Sequence, residues 1–212
     1  MAGGTFASAG PSLSGYDDRK MATDPEEILL IKLARGGDGE AFGELVRLHE
    51  TGIRRLATGF LGDASEAQDA AQEVFMKAHK NLNKFRGDSS ISTWLHQITV
   101  NHCKDMLRAR KRRSWLPWNS REEDQVPDSE SLSTPSDEAT RNTDAGVLLG
   151  QLLKELSVDY RTVLLLRELS GLSYMEISKT LGISQDAVKA RLRRARQTAL
   201  EAMRHLKASE GV

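Results

Sequence analysis

Apolar positions recur at three- and four-residue steps through most of the chain, the spacing that lines one face of a helix. Asp24-Pro25-Glu26-Glu27 reads as a helix start: Asp24 caps, Pro25 takes the first position, and acids fill the first turn. A stripe of Phe42, Leu45, Val46, Ile53, Leu56, Ala57 and Phe60 follows, and Gly62-Asp63 interrupts it. A second stripe holds Ala67, Ala70, Ala71, Val74, Phe75, Ala78 and Leu82. Arg86-Gly87-Asp88-Ser89-Ser90 is a loop by composition. A third helix runs from about Ile91 into a basic block and buries Trp94, Leu95 and Ile98. Three packed helices of this length predict one compact domain.

Either side of that domain the pattern lapses. Residues 1–23 are rich in Gly, Ser and Ala without a hydrophobic period, which predicts a mobile tail. Residues 114–143 carry Pro117, Pro127, Pro135, many serines and no apolar face, which predicts a linker. Apolar spacing resumes at Val147, Leu148, Leu152, Leu153 and Leu156, then at Val163, Leu164 and Leu166, with two short helices closing the sequence. Ser173 can cap a helix over Tyr174 to Leu181, with Ile177 and Leu181 inside. Gly182 can supply the left-handed residue of a tight turn, Ile183 plugs it, and Ser184 caps the next helix ahead of Gln185 and Asp186. Val188, Leu192, Ala195 and Ala199 then face the first of the pair. The spacing is that of a helix-turn-helix.

Charge changes this picture only when read by region. The formal net charge is zero, yet Lys104 to Arg113 holds six basic residues and one acid, and Lys189 to Lys207 holds seven and one. Between the two blocks, Arg121 to Asp144 holds eight acids and two arginines. The second helix of the helix-turn-helix presents Lys189, Arg193 and Arg196, flanked by Arg191 and Arg194, with no acid interleaved among the arginines. Such a face meets phosphates and can reach guanine edges through arginine forks. An ordinary basic surface helix is the bland alternative, and the turn and charge together favour duplex DNA.

Other chemistry finds little support. Cys103 is the only cysteine, so an internal disulfide is excluded and a reducing, cytoplasmic compartment fits. No apolar run approaches a membrane span, so no membrane insertion is expected. His96, His102 and Cys103 do not share one helix face, and no metal site, cofactor or small-molecule substrate is expected. Glu122-Glu123-Asp124 falls in the linker, with no apolar pocket to shift its acidity, and no nucleophile and base pair emerges. An enzyme is not expected.

Two long stretches carry a resemblance. DASEAQDAAQEVFMKAHKNL, Asp63 to Leu82, followed by FRGDSSISTWLHQITVNHCKDMLRARKRR, Phe85 to Arg113, resembles sigma region 2 of bacterial RNA polymerase. The helix-turn-helix resembles sigma region 4, so the whole resembles an extracytoplasmic-function (ECF) sigma factor of the sigma-70 superfamily over about Pro25 to Leu206. The resemblance implies an all-α fold of two small helical domains joined by a flexible acidic linker. Region 2 would occupy 24–113, the linker 114–143 and region 4 144–207, with a tail at 208–212.

It also implies partners, residue by residue. Glu66, Asp69, Gln72, Glu73 and Phe75 would dock on the clamp helices of the polymerase β′ subunit, with the β flap as a further contact of the core enzyme. The loop of Phe85, Arg86, Gly87, Asp88 and Ser89, with Asn101, would hold a flipped base of the −10 element on the single non-template strand. Phe85 would supply the wall, while Trp94 reads as core packing. Lys104, Arg108, Arg110, Lys111, Arg112 and Arg113 would track the nucleic-acid backbone. Ser184, Gln185, Lys189, Ala190, Arg191, Arg193, Arg194 and Arg196 would face the −35 duplex, Lys189 being a point charge where relatives often carry an arginine fork. An anti-sigma factor and a role in stress response are expected on the same grounds. The residues alone also allow a helix-turn-helix regulator that binds duplex DNA by itself, its first domain sensing a ligand or dimerising. The FRGDSSISTWL loop followed by a basic helix argues against that, because a simple repressor needs no single-strand pocket.

Overall fold

A computed structural model describes residues 24–115 and 144–210, and within them every regular element is helical. Expectations for residues 1–23, 116–143 and 211–212, including Glu122-Glu123-Asp124, lie outside the described residues.

The first unit has four helices where the hydrophobic pattern predicts three. Helix α1 spans Pro25–Arg35, and the Asp24 side chain accepts the Glu26 N–H at 2.9 Å. Helix α2 spans Gly39–Leu61. They part at Gly36-Gly37-Asp38, where Gly37 has φ 96° and Asp38 restarts the chain by accepting the Glu40 and Ala41 N–H groups. Asp63 caps helix α3, Ala64–Asn81, which ends in a 3-10 turn over Leu82–Lys84. Helix α4, Ile91–Trp115, is capped by Ser90, whose Oγ accepts the Thr93 N–H at 3.1 Å. The α3 stripe is buried throughout, whereas Trp94 and Ile98 on α4 are only half-buried.

The second unit begins with α5, Asp144–Glu155, and α6, Val158–Leu164, which runs on through a π turn over Leu165–Leu169. Helix α7 is Tyr174–Leu181, with a full capping box: Ser173 Oγ accepts the Glu176 N–H and a Glu176 oxygen accepts the Ser173 N–H. Gly182 follows in the left-handed region at φ 63°. Helix α8, Gln185–Glu210, is the longest among the described residues, not the short element the spacing predicts. It packs against α5, α6 and α7.

The two helical domains are both present, and one of their two buried clusters runs between them. One buried cluster lies inside the first unit and includes Leu45, Ile53, Val74, Phe75, Phe85 and Leu95. The other crosses the units, joining Leu56, Phe60, Leu61, Val100 and Cys103 to Leu156, Val163, Leu165, Leu166, Ile177 and Leu192. The cause is the second half of α2, whose apolar face outruns α3 and α4 and takes the π turn as its cover. Gly59 permits the approach, since a Cβ there would sit 2.6 Å from Leu165 Cδ2. Arg161 stitches the same seam, donating to the Phe60 carbonyl at 2.9 Å.

Candidate nucleic-acid interface

The loop before α4 is fixed at both ends. On one side the Arg35 guanidinium, at the last position of α1, donates to the carbonyl oxygens of Leu82 and Phe85. The Leu82 carbonyl also accepts the Phe85 N–H that closes the 3-10 turn, at 3.1 Å, so Arg35 braces the turn from outside the helix ladder. On the other side Ser90 and Thr93 are buried and bonded to one another. Between these anchors Arg86, Gly87 and Asp88 are exposed, with Gly87 at φ 81°. Phe85 is buried at 7% exposure and packs against Trp94 with ring centroids 5.4 Å apart. It therefore supports the loop from beneath more than it forms an open wall. Asn101 is exposed two turns along α4 from Trp94.

Several basic groups at the end of α4 are held by other residues of the chain. Lys104 Nζ lies 3.1 Å from Asp159 Oδ1 of the second unit. Arg108 pairs with Asp105 at 3.1 Å on the helix surface. Arg110 pairs with Glu66 and also reaches the Leu61 carbonyl. Two residues expected to face different partners, DNA and polymerase, thus face each other. Lys111, Arg112 and Arg113 are exposed at the end of the helix.

On α8, Val188, Leu192 and Ala195 are buried, as the spacing predicts, while Ala199 is half-buried. Arg193 and Arg194 are exposed on the opposite side, and Ser184 and Gln185 are exposed at the helix start. Ser184 Oγ accepts the Ala187 N–H at 3.2 Å. Ala190 and Arg191 are half-buried. Acids do reach this helix: Lys189 pairs with Asp186 at 3.4 Å, and Arg196 with Glu168 at 2.7 Å. The charge count holds, but Lys189 and Arg196 have protein partners that a phosphate must displace.

On α3, Glu66 is half-buried while Asp69, Gln72 and Glu73 are exposed. Phe75 is 8% exposed, yet it lines a groove of about 620 Å³ between α2 and α3 with Phe42, Val46, Gln72, Met76 and His79. Of the residues expected to meet polymerase, Gln72 and Phe75 line that groove, and sequence reasoning missed Phe42, Val46, Met76 and His79 beside them. Met76, 48% exposed on the stripe's edge, was the available signal.

Cys103 is buried, and that burial pushes its thiol up to about 12, so it is protonated and unreactive at neutral pH. His96 is buried with its Nδ1 2.6 Å from the Ser92 carbonyl, and His102 Nδ1 lies 2.6 Å from Lys77 Nζ. Among the described residues no three His, Cys, Asp or Glu side chains gather in a metal-holding group. None of the described helices is long and apolar enough to cross a membrane.

A basic helix behind a tight left-handed turn, attached to a helical unit with its own basic helix and exposed loop, defines an all-α helix-turn-helix protein that binds DNA. Comparison with known proteins narrows the class. Residues 45–113 match the Sigma-70 region 2 family and residues 147–198 match Sigma-70, region 4. The RNA polymerase sigma-H factor of Pseudomonas aeruginosa is 34% identical over 88% of this chain and 98% of its own. The ECF RNA polymerase sigma factor SigW of Bacillus subtilis is 30% identical over 83% of this chain and 96% of its own. Among solved structures, the sigma factor RpoE of Bartonella quintana, in complex with the anti-sigma factor NepR, superposes with a TM-score of 0.59 at 23% identity. It covers 77% of this chain and 96% of that one. The chain belongs to the ECF sigma factors of the sigma-70 family, non-enzymatic factors that direct promoter-specific initiation of transcription.

Proposed function

We propose that this sigma factor reads a bipartite promoter, with the Arg86–Ser89 loop and Asn101 at the −10 element and α8 at the −35 element. The observation that carries the reading is the loop itself. It is held by Arg35 at one end and by the Ser90 cap at the other, and its exposed tip sits at the head of a basic helix. A base drawn from the stack needs polar groups held in place for its Watson–Crick edge, and a loop anchored at both ends provides them. At α8, exposed Arg193 and Arg194 are the groups best placed for base edges. Lys189 and Arg196, already paired, serve the phosphates.

The groove between α2 and α3, lined by Phe42, Val46, Glu50, Gln72, Phe75 and Met76, suits a helical hairpin, and the polymerase β′ clamp helices are the partner proposed for it, with Asp69 and Glu73 exposed on the same α3 helix. Region 4 would contact the β flap. An anti-sigma factor would restrain the chain, as one accompanies the Bartonella quintana neighbour. The site of action is the cytoplasm, where polymerase and chromosome meet. Run-off transcription with purified core polymerase tests the reading. Discrete transcripts from promoters of the source genome are expected, and none from any of them would refute it.

A further inference from the structure

Within the second unit, one ion pair ties the helix assigned to the −35 duplex to the turn that precedes the helix-turn-helix. Glu168, on the π turn over Leu165–Leu169, accepts from Arg196 Nη2 of α8 at 2.7 Å, across 28 residues of sequence. By contrast, Glu44 with Arg47 on α2 and Asp186 with Lys189 on α8 are three residues apart, where a single helical turn brings them together. Glu168 reaches Arg196 because the π turn is fixed around it. Leu165 and Leu166 are buried, and their carbonyls accept the Ser170 and Leu172 N–H groups at 3.1 and 3.0 Å. The neighbouring Arg167 donates to the Leu172 carbonyl at 2.8 Å and lies 4.8 Å over the Tyr174 ring. π turns of this kind recur at functional sites.

We propose that Glu168 limits the hold of region 4 on DNA, as a resident competitor with backbone phosphate for Arg196. The proposal rests on the −35 reading of α8. Position gives the first argument. Base edges are reached from the N-terminal residues of a recognition helix, and Arg196 lies about three turns beyond Gln185, so a flanking phosphate is the group within its reach. Chemistry gives the second. A carboxylate and a phosphate offer a guanidinium the same kind of oxygen acceptor, and Arg196 must give up the one to take the other.

Exposure gives the third. The side chains of Arg196 and Glu168 are 45% and 53% exposed, and an ion pair so open to water adds little to the fold. The effect of the pair falls on what Arg196 does next. Once Arg196 turns to a phosphate, the Glu168 carboxylate stays beside the DNA backbone and repels it. Every sequence carries phosphates, so Glu168 lowers the affinity for all duplexes alike. Discrimination is left to Arg193 and Arg194, exposed on the same helix.

Glu168→Gln in the full-length chain, assembled with core polymerase, is the test. Affinities for a −35 duplex and for a scrambled duplex of equal length are measured by fluorescence anisotropy over a range of salt. The expected result is tighter binding of both duplexes by a similar factor, about two- to fivefold, the range an exposed ion pair spans. The log–log salt slope should steepen by up to ~0.9, one phosphate's worth. In an Arg196→Ala background the same substitution should change neither quantity. Glu44→Gln, which removes an acid from the exposed pair on α2, should match the wild type. Unchanged affinity and slope in Glu168→Gln overturn the competition, as does weaker binding at constant slope, the mark of a purely structural role. A gain that persists without Arg196, or that Glu44→Gln reproduces, shows a general charge effect and overturns it too. Tightening confined to the −35 duplex contradicts a hold common to all sequences. A wild type that binds both duplexes alike sinks the −35 reading instead, while the slope difference between Glu168→Gln and wild type still decides the role of Glu168.

Discussion

Lys179, on the first helix of the helix-turn-helix, and Asp88, at the tip of the loop before α4, lie 91 residues apart in sequence and meet through an ammonium-to-carbonyl hydrogen bond of 3.1 Å. The contact joins the two parts of the chain that the family reading assigns to different promoter elements.

Arg35 is expected to matter for promoter opening although it lies outside both family matches. It holds the Leu82 and Phe85 carbonyls, and a charged donor in such a place contributes about 1.5–3 kcal/mol. Arg35→Ala should slow open-complex formation, read by permanganate reactivity of unpaired thymines, while affinity for core polymerase is kept. Arg35→Lys, with one donor direction in place of a fork, should fall between. Equal loss of opening and of core affinity would show that Arg35 only supports the fold.

The arginines of α8 should rank by their pairing. Arg193→Ala and Arg194→Ala, at exposed positions, should each weaken binding of the holoenzyme to a −35 duplex by about 1–3 kcal/mol if they fork onto guanine. Arg196→Ala should cost less, since Glu168 already holds that side chain. Competition titrations give the order, and a larger effect at Arg196 would contradict it.

Salt dependence should separate the basic groups of α4. Replacing Arg112 or Arg113 by Ala should lower the log–log salt slope of promoter binding by ~0.9 for each duplex phosphate lost, or ~0.7 for a single-strand one. Arg110→Ala should leave the slope nearly unchanged and lower the unfolding midpoint, because Arg110 is engaged by Glu66 and the Leu61 carbonyl. A slope change at Arg110 matching that at Arg113 would contradict the assignment.

Acid should weaken the first unit through His49. Its Nε2 lies 3.1 Å from Glu27 Oε1, yet burial holds the imidazole below its ordinary value of 6.5, with Glu27 opposing. The unfolded chain then takes up the proton first. The contribution is present above pH 6.5 and is lost as pH falls below it toward the depressed folded value. His102, lowered by burial and by Lys77, acts in the same direction. The thermal midpoint should fall between about pH 7.5 and pH 5.5, and less so in His49→Gln. A midpoint that rises on acidification would contradict the burial argument.

Much of this was legible wherever the determinant is local. Asp24, Ser173 and Ser184 announce helix starts through side chains acting within three residues, and Gly182 announces a turn by its own conformational freedom. The break at Gly36-Gly37-Asp38 carries the same kind of signal, but helical spacing runs on both sides of it and conceals the division. What the sequence could not show is which face meets which across long separations. Thr93 and Glu176 are 83 residues apart, and Arg35 and Phe85 are 50 apart. Thr93, Glu176 and Arg35 look like ordinary surface residues until the fold brings their partners. Phe85 suits the wall of a base pocket by sequence and lies packed on Trp94 in the fold, since an aromatic beside a loop has the same sequence signature in either place.

Footprinting of the wild-type holoenzyme on a native promoter tests the bipartite reading most directly, with DNase I for protection and permanganate for melting. The account predicts protection at an upstream −35 segment together with reactive thymines at a −10 segment, the second lost in Asn101→Ala and the first weakened in Arg193→Ala. Loss of both signals together in either variant, or protection confined to one segment in the wild type, would contradict it.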